Sequence, residues 1–533
     1  MNDYSSHLAL QVNTYVDYSL PQTLDDVEMS PERDNWIKAM EEEMSALHEN
    51  RTWNLTENPG NKNVIKCKWV FQKKFNSEGN IEKFKARLVA KGFQQRRGID
   101  YDEIFAPVAK LSTIRTVLAI ANHKDLFLHQ MDVKTAFLNG VLEEEIYMYQ
   151  PEGYNSVNSG MVCKLNKSLY GLKQSPRCWN KRFNDFMVTS GFERSKNDYC
   201  LYSRFEEGLT FYVILYVDDL ILCCNDLNKI QNMKNRLCKE FKMTDFGKLK
   251  FFLGIEIERD EEKGTLSMSQ KQYILKLLDR FQMTDCKGVN TPMEKGLQLE
   301  KNISSVVINK PYRELIGCLM YLMLATRPDI CYTINFFSKF QNNFTEEHWI
   351  HLKRVLRYLK ETVDEKLVYQ KTKDSNPEIM CFADADWAND VDDRRSISGF
   401  VCKIYGSCVS WSTKKQPTVS LSSTEAEFIS LCSTVCEALW LKKLVSEIEQ
   451  ITPTVVIFED NQACISIAKN PREHGRMKHI DTKYLFIREC IENYNLDIKY
   501  ICSQKQQADL FTKSLSGPLF VYFKNLLGIL STG

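Results

Sequence analysis

Apolar positions along the 533-residue chain change period several times, and each change predicts a different element. Residues 1–30 are polar and hold no sustained period, which predicts a tail or linker. A helix is expected next: Ser30 can cap it, Pro31 suits its first turn, and Trp36, Met40, Met44 and Leu47 recur on one face. From Val64 to about Glu258 short apolar runs alternate with helical patterns, as in an α+β fold. There IRTVLAIANHKD and RCWNKRFNDFMVTSGF read as helices, and LHQMDVKTAF, FYVILYVDD and FFLGIEIER as strands. The stretch from Ser269 to about Lys371 is helix-rich, notably in QKQYILKLLDRF, YRELIGCLMYLMLAT and EEHWIHLKRVLRYLKE. From about Glu378 the pattern gives strand, turn and strand, then a long helix, a strand, a helix and a strand.

Composition narrows the class. With 43% hydrophobic and 26% charged residues, the chain reads as a multidomain globular protein. Its longest apolar run, FYVILYVDDLILCC, is too short for a bilayer span and carries two Asp in its middle. MNDYSSHLAL has neither the basic start nor the apolar block of a secretory leader. The 18 Cys therefore read as reduced thiols, mostly small core residues. Cys432 with Cys436, and His348 with His351, have metal-like spacing, but neither has a second ligand pair nearby.

The net charge of +1 hides an asymmetry that changes the picture. Twelve acidic and three basic residues precede Lys62, whereas Lys62 to Arg97 holds eleven basic and two acidic ones. In that second stretch basic and apolar residues roughly alternate around SEGN, which predicts a hairpin with one basic face, suited to phosphates. The ordinary alternative is an edge hairpin kept soluble by lysines.

Candidate chemistry centres on acids. In LTFYVILYVDDLILCC, two β-rich arms flank Asp218 and Asp219, which predicts a hairpin with the acidic pair at its tip. Adjacent carboxylates among apolar residues are costly without a cation between them, and Mg²⁺ takes carboxylate oxygens together with substrate phosphates. Asp132, inside the apolar run LHQMDVKTAF, supplies a third carboxylate from a second strand. Three such groups suit a pair of metal ions for in-line phosphoryl transfer.

These residues carry a family resemblance. KARLVAKGF, IDYDEIFAPVAK, HQMDVKTAFLNG, EEEIYMYQPEG, LNKSLYGLKQSPRCW, LYVDDLIL and FFLGIEIE, in this order, resemble the reverse transcriptase of copia-type retrotransposons. The likeness runs from about Trp36 through IGCLMYLMLATRPDI and LKRVLRYLK into the tail. It implies a right-hand polymerase of fingers, palm and thumb, with Asp132, Asp218 and Asp219 as catalytic metal ligands. It also implies that Lys85 and Arg87 handle the incoming triphosphate, that Phe137 screens against a ribose 2′-hydroxyl, and that Gly171 faces template and nucleotide. Leu253 and Gly254 match the element that grips the primer end, although strand core is an equally ordinary role for them. Tyr170 stands where many retroviral relatives place Gln, so nucleotide contacts there do not carry across.

A second acidic set lies in the tail. EIMCFADADWAND ends a strand in two Asp on one face, SSTEAEF opens a helix, TVVIFEDNQ ends a strand in Glu459 and Asp460, and QQADLFTK adds Asp509. Acids at strand ends and a helix start can converge at one sheet edge, again suiting a metal pair, now for phosphodiester hydrolysis. DADWA, RRSISGF, SWSTKKQ, SSTEAEF, EDNQACISIA, KHID and ADLFTK resemble the RNase H domain of the same elements. The resemblance implies Asp384, Glu427, Asp460 and Asp509 as catalytic metal ligands, with Asp386 and Glu425 as competitors for the first two places. In RMKHIDTKYLFIRE, Leu485 replaces the family's usual His; His474, Arg476, Lys478 and His479 read as nucleic-acid contacts or packing.

The expected architecture is thus an α+β multidomain chain. It comprises a tail (1–30), fingers and palm (31–260), a thumb or connection-like helical region (261–375), an α/β RNase H-like domain (376–515) and a C-terminal tail (516–533). The expected activity is RNA-directed DNA polymerase with linked RNase H, using Mg²⁺, with Mn²⁺ as the alternative ion. Its partners would be RNA template, DNA primer, RNA–DNA hybrid, dNTPs and other retrotransposon proteins in a particle, with no membrane. The location would be a cytoplasmic particle or the nucleus. Two rivals are a catalytically silent remnant that only binds nucleic acid or protein, and a nuclease whose polymerase half is scaffold. Decay of metal ligands would mark the remnant, and every candidate carboxylate is still acidic.

Overall fold

A computed structural model describes residues 20–75, 81–154, 160–301, 308–372, 377–469 and 481–531. Within them the chain forms two compact units, one over 20–109 and 129–247, the other over 110–128 and 248–531. Among the described residues no helix is long and apolar enough to cross a membrane.

In the first unit the helical stripe folds as its spacing predicts. Helix Arg33–Glu49 buries Trp36, Met40, Met44 and Leu47. Its start differs from expectation: Glu32 occupies the cap, and Ser30 Oγ instead accepts from Glu32 N at 3.1 Å, so Ser30 and Pro31 form a turn. That turn is needed because the expected tail already holds a short helix, Leu24–Glu28, closed by a Thr23–Asp26 capping box. Trp36 lies edge-on to Phe71 and Phe84, with ring centroids 5.4 and 4.7 Å away, and fastens the helix to the basic hairpin.

The hairpin pairs Cys67–Phe75 with Ile81–Ala90. Its register, Lys68 opposite Val89, Val70 opposite Arg87 and Gln72 opposite Lys85, puts Lys68, Lys83, Lys85 and Arg87 on one face. Trp69, Phe71, Ala86, Leu88 and Ala90 on the other face are buried. The same unit holds a six-stranded sheet in the order Met243–Lys248, Phe127–Val133, Asp219–Cys224, Leu209–Tyr216, Leu201–Glu206, Glu193–Arg194. Asp132 and the Asp218–Asp219 pair therefore come from neighbouring strands.

The second unit has two sheets. In one, FFLGIEIER is not a single strand but a hairpin, Phe251–Phe252 paired with Ile255–Asp260. Leu253 and Gly254 form its two-residue turn, with φ of +52° and +72°, so they are not strand core. Tyr321 Oη donates to the Leu253 carbonyl from helix Tyr312–Ala325 and lies where a Cβ on Gly254 would stand. Residues 516–533, expected as a tail, hold helix Gly517–Leu526 and strand Ile529–Ser531, which pairs with Glu365–Gln370. Buried Phe520, Phe523, Leu527 and Ile529 supply the apolar surface that docks them.

The other sheet has the order Ser407–Lys415, Ile397–Ile404, Glu378–Ala385, Thr454–Glu459, Leu496–Tyr500. Its first three strands are antiparallel and its last two join in parallel, with helix Ser423–Glu449 packed against it. This strand order and mixed direction make the α/β layer expected for the tail of the chain. His348 caps its own helix, Nδ1 accepting from Thr345 N at 3.1 Å. Neither the His348–His351 pair nor Cys432 with Cys436 falls in a metal-ligating group among the described residues.

Candidate active sites

The first acidic site is built on a strained turn. Tyr216 pairs with Asp219, so Val217 and Asp218 alone make the loop, and Asp219 opens the returning strand. Val217 has φ +57°, which costs a β-branched residue about 1–3 kcal/mol. Two bonds hold it there: Trp179 Nε1 donates to Val217 O at 2.6 Å, and Val133 N donates to Asp218 O at 2.8 Å. The second bond sets Asp132, the residue before Val133, beside the turn. Gln130 Nε2 donates to Asp219 Oδ1 at 3.3 Å. All three carboxylates are half-buried, and they do not form a group with oxygens within 4.8 Å of one another.

Around them the unit arranges the basic hairpin and the segment after Leu169. Arg87 lies over the Tyr170 ring, 4.8 Å from its centroid, and Phe137 meets the same ring edge-on at 4.7 Å. Ala90 N donates to Tyr170 O at 2.7 Å. Gly171 follows with φ +92°, and a Cβ there would overlap the Ala90 carbonyl, so only glycine lets this segment close on the hairpin. Burial raises the Tyr170 pKa to about 12, Arg87 opposing and Asp218, Glu43 and Asp132 adding to it. Lys85 is half-buried on the basic face. Leu253 and Gly254 belong to the other unit.

The second site is closed. Oxygens of Asp384, Asp460 and Asp509 lie within 4.8 Å of one another, as do those of Glu427, Glu459 and Asp460. Asp384 sits at the end of the central strand, where Thr512 Oγ1 donates to its Oδ2. Lys513 Nζ stands 2.9 Å from Asp509 and 3.5 Å from Asp384. Glu427 accepts from Ala385 N at 2.7 Å, and Asp460 accepts from Ser503 Oγ at 2.6 Å. Burial, then the charge of neighbouring acids, pushes Glu427 up to about 11 and raises Glu459 well above its usual value. Asp509 rises to about 7, from burial first and Asp384 second, against the pull of Lys513.

The geometry separates the competing acids. Asp386 turns to accept from Ile397 N, and Glu425 folds back to accept from Leu421 N at 2.8 Å as part of the helix cap. Neither joins the groups that hold Asp384 and Glu427. The sequence names Glu459 only as an acid at a strand end, outside the four expected ligands, and does not single out Lys513. Alternation along Val455, Ile457 and Glu459 puts Glu459 on the buried face, and Lys513 is one helical turn after Asp509; both signals were present. His474, Arg476, Lys478 and His479 lie outside the described residues, while Leu485 is exposed.

Residues 50–295 match the family model "Reverse transcriptase (RNA-dependent DNA polymerase)". A transposon Ty5-1 protein of Saccharomyces cerevisiae is 33% identical over 310 residues, which are 58% of this chain and 100% of that one. The chain belongs to the copia-type retrotransposon reverse transcriptase family. The retrovirus-related Pol polyprotein from transposon TNT 1-94 of Nicotiana tabacum is 41% identical over 518 residues, 96% of this chain and 39% of the polyprotein. This copia-type chain thus spans about two fifths of that relative's length. A foamy viral protease–reverse transcriptase, solved in complex with an RNA/DNA hybrid, aligns with 90% of the copia-type chain and 55% of its own, at TM-score 0.46 and 10% identity.

Proposed function

We propose that the chain is an RNA-directed DNA polymerase with a linked RNase H. Residues 31–260 would serve as fingers and palm, 261–375 as thumb and connection, and 376–515 as the nuclease. One observation carries this reading: two separate carboxylate sets, each drawn from neighbouring elements, stand in a chain of the reverse transcriptase family.

The residues fit divalent cations. Glu459 Oε2 is buried without a hydrogen-bond partner, and acid oxygens crowd within 4.8 Å of one another in two groups, with Lys513 against Asp384 and Asp509 alone, which favours a cation of high charge. Asp384, Glu427, Asp460 and Asp509 would hold Mg²⁺ at the nuclease site, with Glu459 as a further donor. Asp132, Asp218 and Asp219 would hold it at the polymerase site, where incoming phosphates complete the oxygen set. Bound Mg²⁺ supplies stabilisation of the attacking and leaving oxygens of phosphoryl transfer. The chain's own part is positioning. Arg87 and Lys85 would bind the triphosphate, Arg87 by paired N–H donors, Phe137 would exclude a 2′-hydroxyl, and Leu253 and Gly254 would hold the primer end. In the nuclease site Lys513 would hold Asp384 and Asp509 in place.

Mg²⁺-dependent extension of a DNA primer on an RNA template tests the reading, with Asp218→Asn as control. Extension by the parent and none by D218N is expected, and hybrid cleavage lost in Asp460→Asn completes it. A folded chain that binds primer–template yet neither extends nor cleaves would falsify it and leave the silent remnant in its place.

A further inference from the structure

Tyr170 occupies an unusual place: two side chains with separate expected tasks rest on one ring. The Arg87 guanidinium carbon lies 4.8 Å from the ring centroid, while the Phe137 ring meets it at 4.7 Å with an interplanar angle of 64°. The ring itself cannot shift freely. Its backbone carbonyl is bonded to Ala90 N, and the next residue, Gly171, is wedged against the Ala90 carbonyl and Val89. Its surroundings also carry the charges of Asp218 and Asp132, which places it at the carboxylate end of the unit.

Each neighbour depends on that ring physically. Arg87 belongs to the outward, basic face of the hairpin, opposite Val70, where a long side chain has many rotamers. A cation over an aromatic face loses part of that freedom in favour of one direction. Phe137 lies in the short helix Ala136–Asn139, following Thr135 at φ +55°, and its edge contact with Tyr170 sets how far its own ring projects.

From this juxtaposition we infer that Tyr170 is a shared positioning residue that sets triphosphate binding through Arg87 and sugar selection through Phe137. The inference rests on the polymerase reading above. It assigns the ring, not the hydroxyl, the working role. Removing the ring therefore disturbs phosphate affinity and ribose exclusion together.

The test is single-nucleotide extension on an RNA template, giving kcat and KM for a dNTP and for the matching rNTP. Parent, Tyr170→Phe, Tyr170→Leu and Tyr170→Ala full-length chains are compared. Y170F should keep both KM and the dNTP-to-rNTP preference of the parent. Y170A should raise KM for the dNTP about threefold or more and lower the preference about tenfold, and Y170L should follow it. The preference is a ratio taken on one preparation, so loss of folded protein cancels from it. If Y170A and Y170L lower kcat for both sugars equally and leave the ratio unchanged, Tyr170 is packing alone and the inference is wrong. If Y170F already loses the preference, the hydroxyl does the work and the inference is equally overturned. A parent that extends no primer overturns the underlying reading as well, and is told apart by failing before any variant is compared.

Discussion

The two carboxylate sites of this chain solve one electrostatic problem in opposite ways. At the first, Asp132, Asp218 and Asp219 are half-buried and spread around a strained turn, so water shares the cost of their charge. At the second, Asp384, Glu427, Glu459 and Asp509 are buried and crowded, and Lys513 offsets part of their repulsion. The difference matches what each would take in. A triphosphate brings its own oxygens to an open site, whereas a phosphodiester substrate brings fewer, and the protein must supply more of the set. Under the proposed function, the open site would be completed by its substrate, and the closed one by its own side chains.

Separate substitutions should break this pairing most strongly. Asp218→Asn is expected to lower primer extension about 10³-fold or more, the several kcal/mol that metal-assisted charge stabilisation provides, while hybrid cleavage stays within twofold or so. Asp460→Asn, common to both oxygen groups of the second site, should do the reverse. Steady-state rates of both activities on one preparation check it, and a variant that loses both activities counts against independent chemistry.

How far the sequence reveals these sites depends on the kind of signal. Period alone located the stripe of Trp36, Met40, Met44 and Leu47, and alternation located the basic face with Arg87, because burial imposes both patterns directly. Asp384 rather than Asp386, and Glu427 rather than Glu425, stand in the acidic groups, although the spacing of these acids alone leaves each pair open. What local pattern does not encode is long-range closure. The turn at Leu253 and Gly254 reads as one strand because its flanks are continuous in hydrophobicity; the antiparallel pairing of Phe252 with Ile255 and the close approach of Tyr321 show the reversal. The 516–533 segment reads as a tail because its partner strand, Glu365–Gln370, lies well over a hundred residues earlier.

The same unit holds a buried ion cluster, Asp390 with Lys339 and Lys415, and pH should expose it. Burial pushes Asp390 up, but hydrogen bonds from Lys415 and Lys339, at 2.7 and 3.0 Å, outweigh it and hold the carboxyl well below its usual range. A carboxylate depressed in the folded state adds stability that is present above its unfolded pKa of about 4 and lost as pH falls towards the folded value. Asp390→Asn should therefore cost about 2 kcal/mol near neutral pH, less than a fully enclosed pair because both lysines keep some solvent. The gap between parent and variant should close below about pH 4. Thermal unfolding across pH measures it; a gap that widens on acidification refutes the assignment.

Crowding itself can be relieved. Glu459→Gln replaces a titratable carboxyl in the densest part of the closed site, where Oε2 has no hydrogen-bond partner, by an amide that is neutral at any pH. In the presence of a chelator the variant should be more stable than the parent near neutral pH by about 1 kcal/mol, since the amide is neutral without the proton that the parent's raised carboxyl must take up on folding. Added Mg²⁺ should stabilise the parent more than the variant and so shrink or reverse the difference. No such effect is expected from Asp219→Asn, because the open site lets solvent spread its charge. Equal chelator responses in the two variants would remove the contrast between the sites.

The smallest expected effect bears on why the open site is strained at all. Val217→Gly relieves φ +57° and should return about 1 kcal/mol in the folded state, but glycine also gives the unfolded chain more freedom, which takes a similar amount back. Net stability should therefore stay within about 0.5 kcal/mol of the parent. Activity should not. A valine at this place leaves the turn few alternative conformations once Trp179 Nε1 and Val133 N have bonded to it, and Asp218 is carried on that turn. With glycine the carboxylate samples more positions, so extension should fall severalfold through kcat while KM for the nucleotide changes little. Unchanged kcat would mean that the two hydrogen bonds fix Asp218 without help from the strained residue. The closed site provides the control, since hybrid cleavage by the same variant should match the parent.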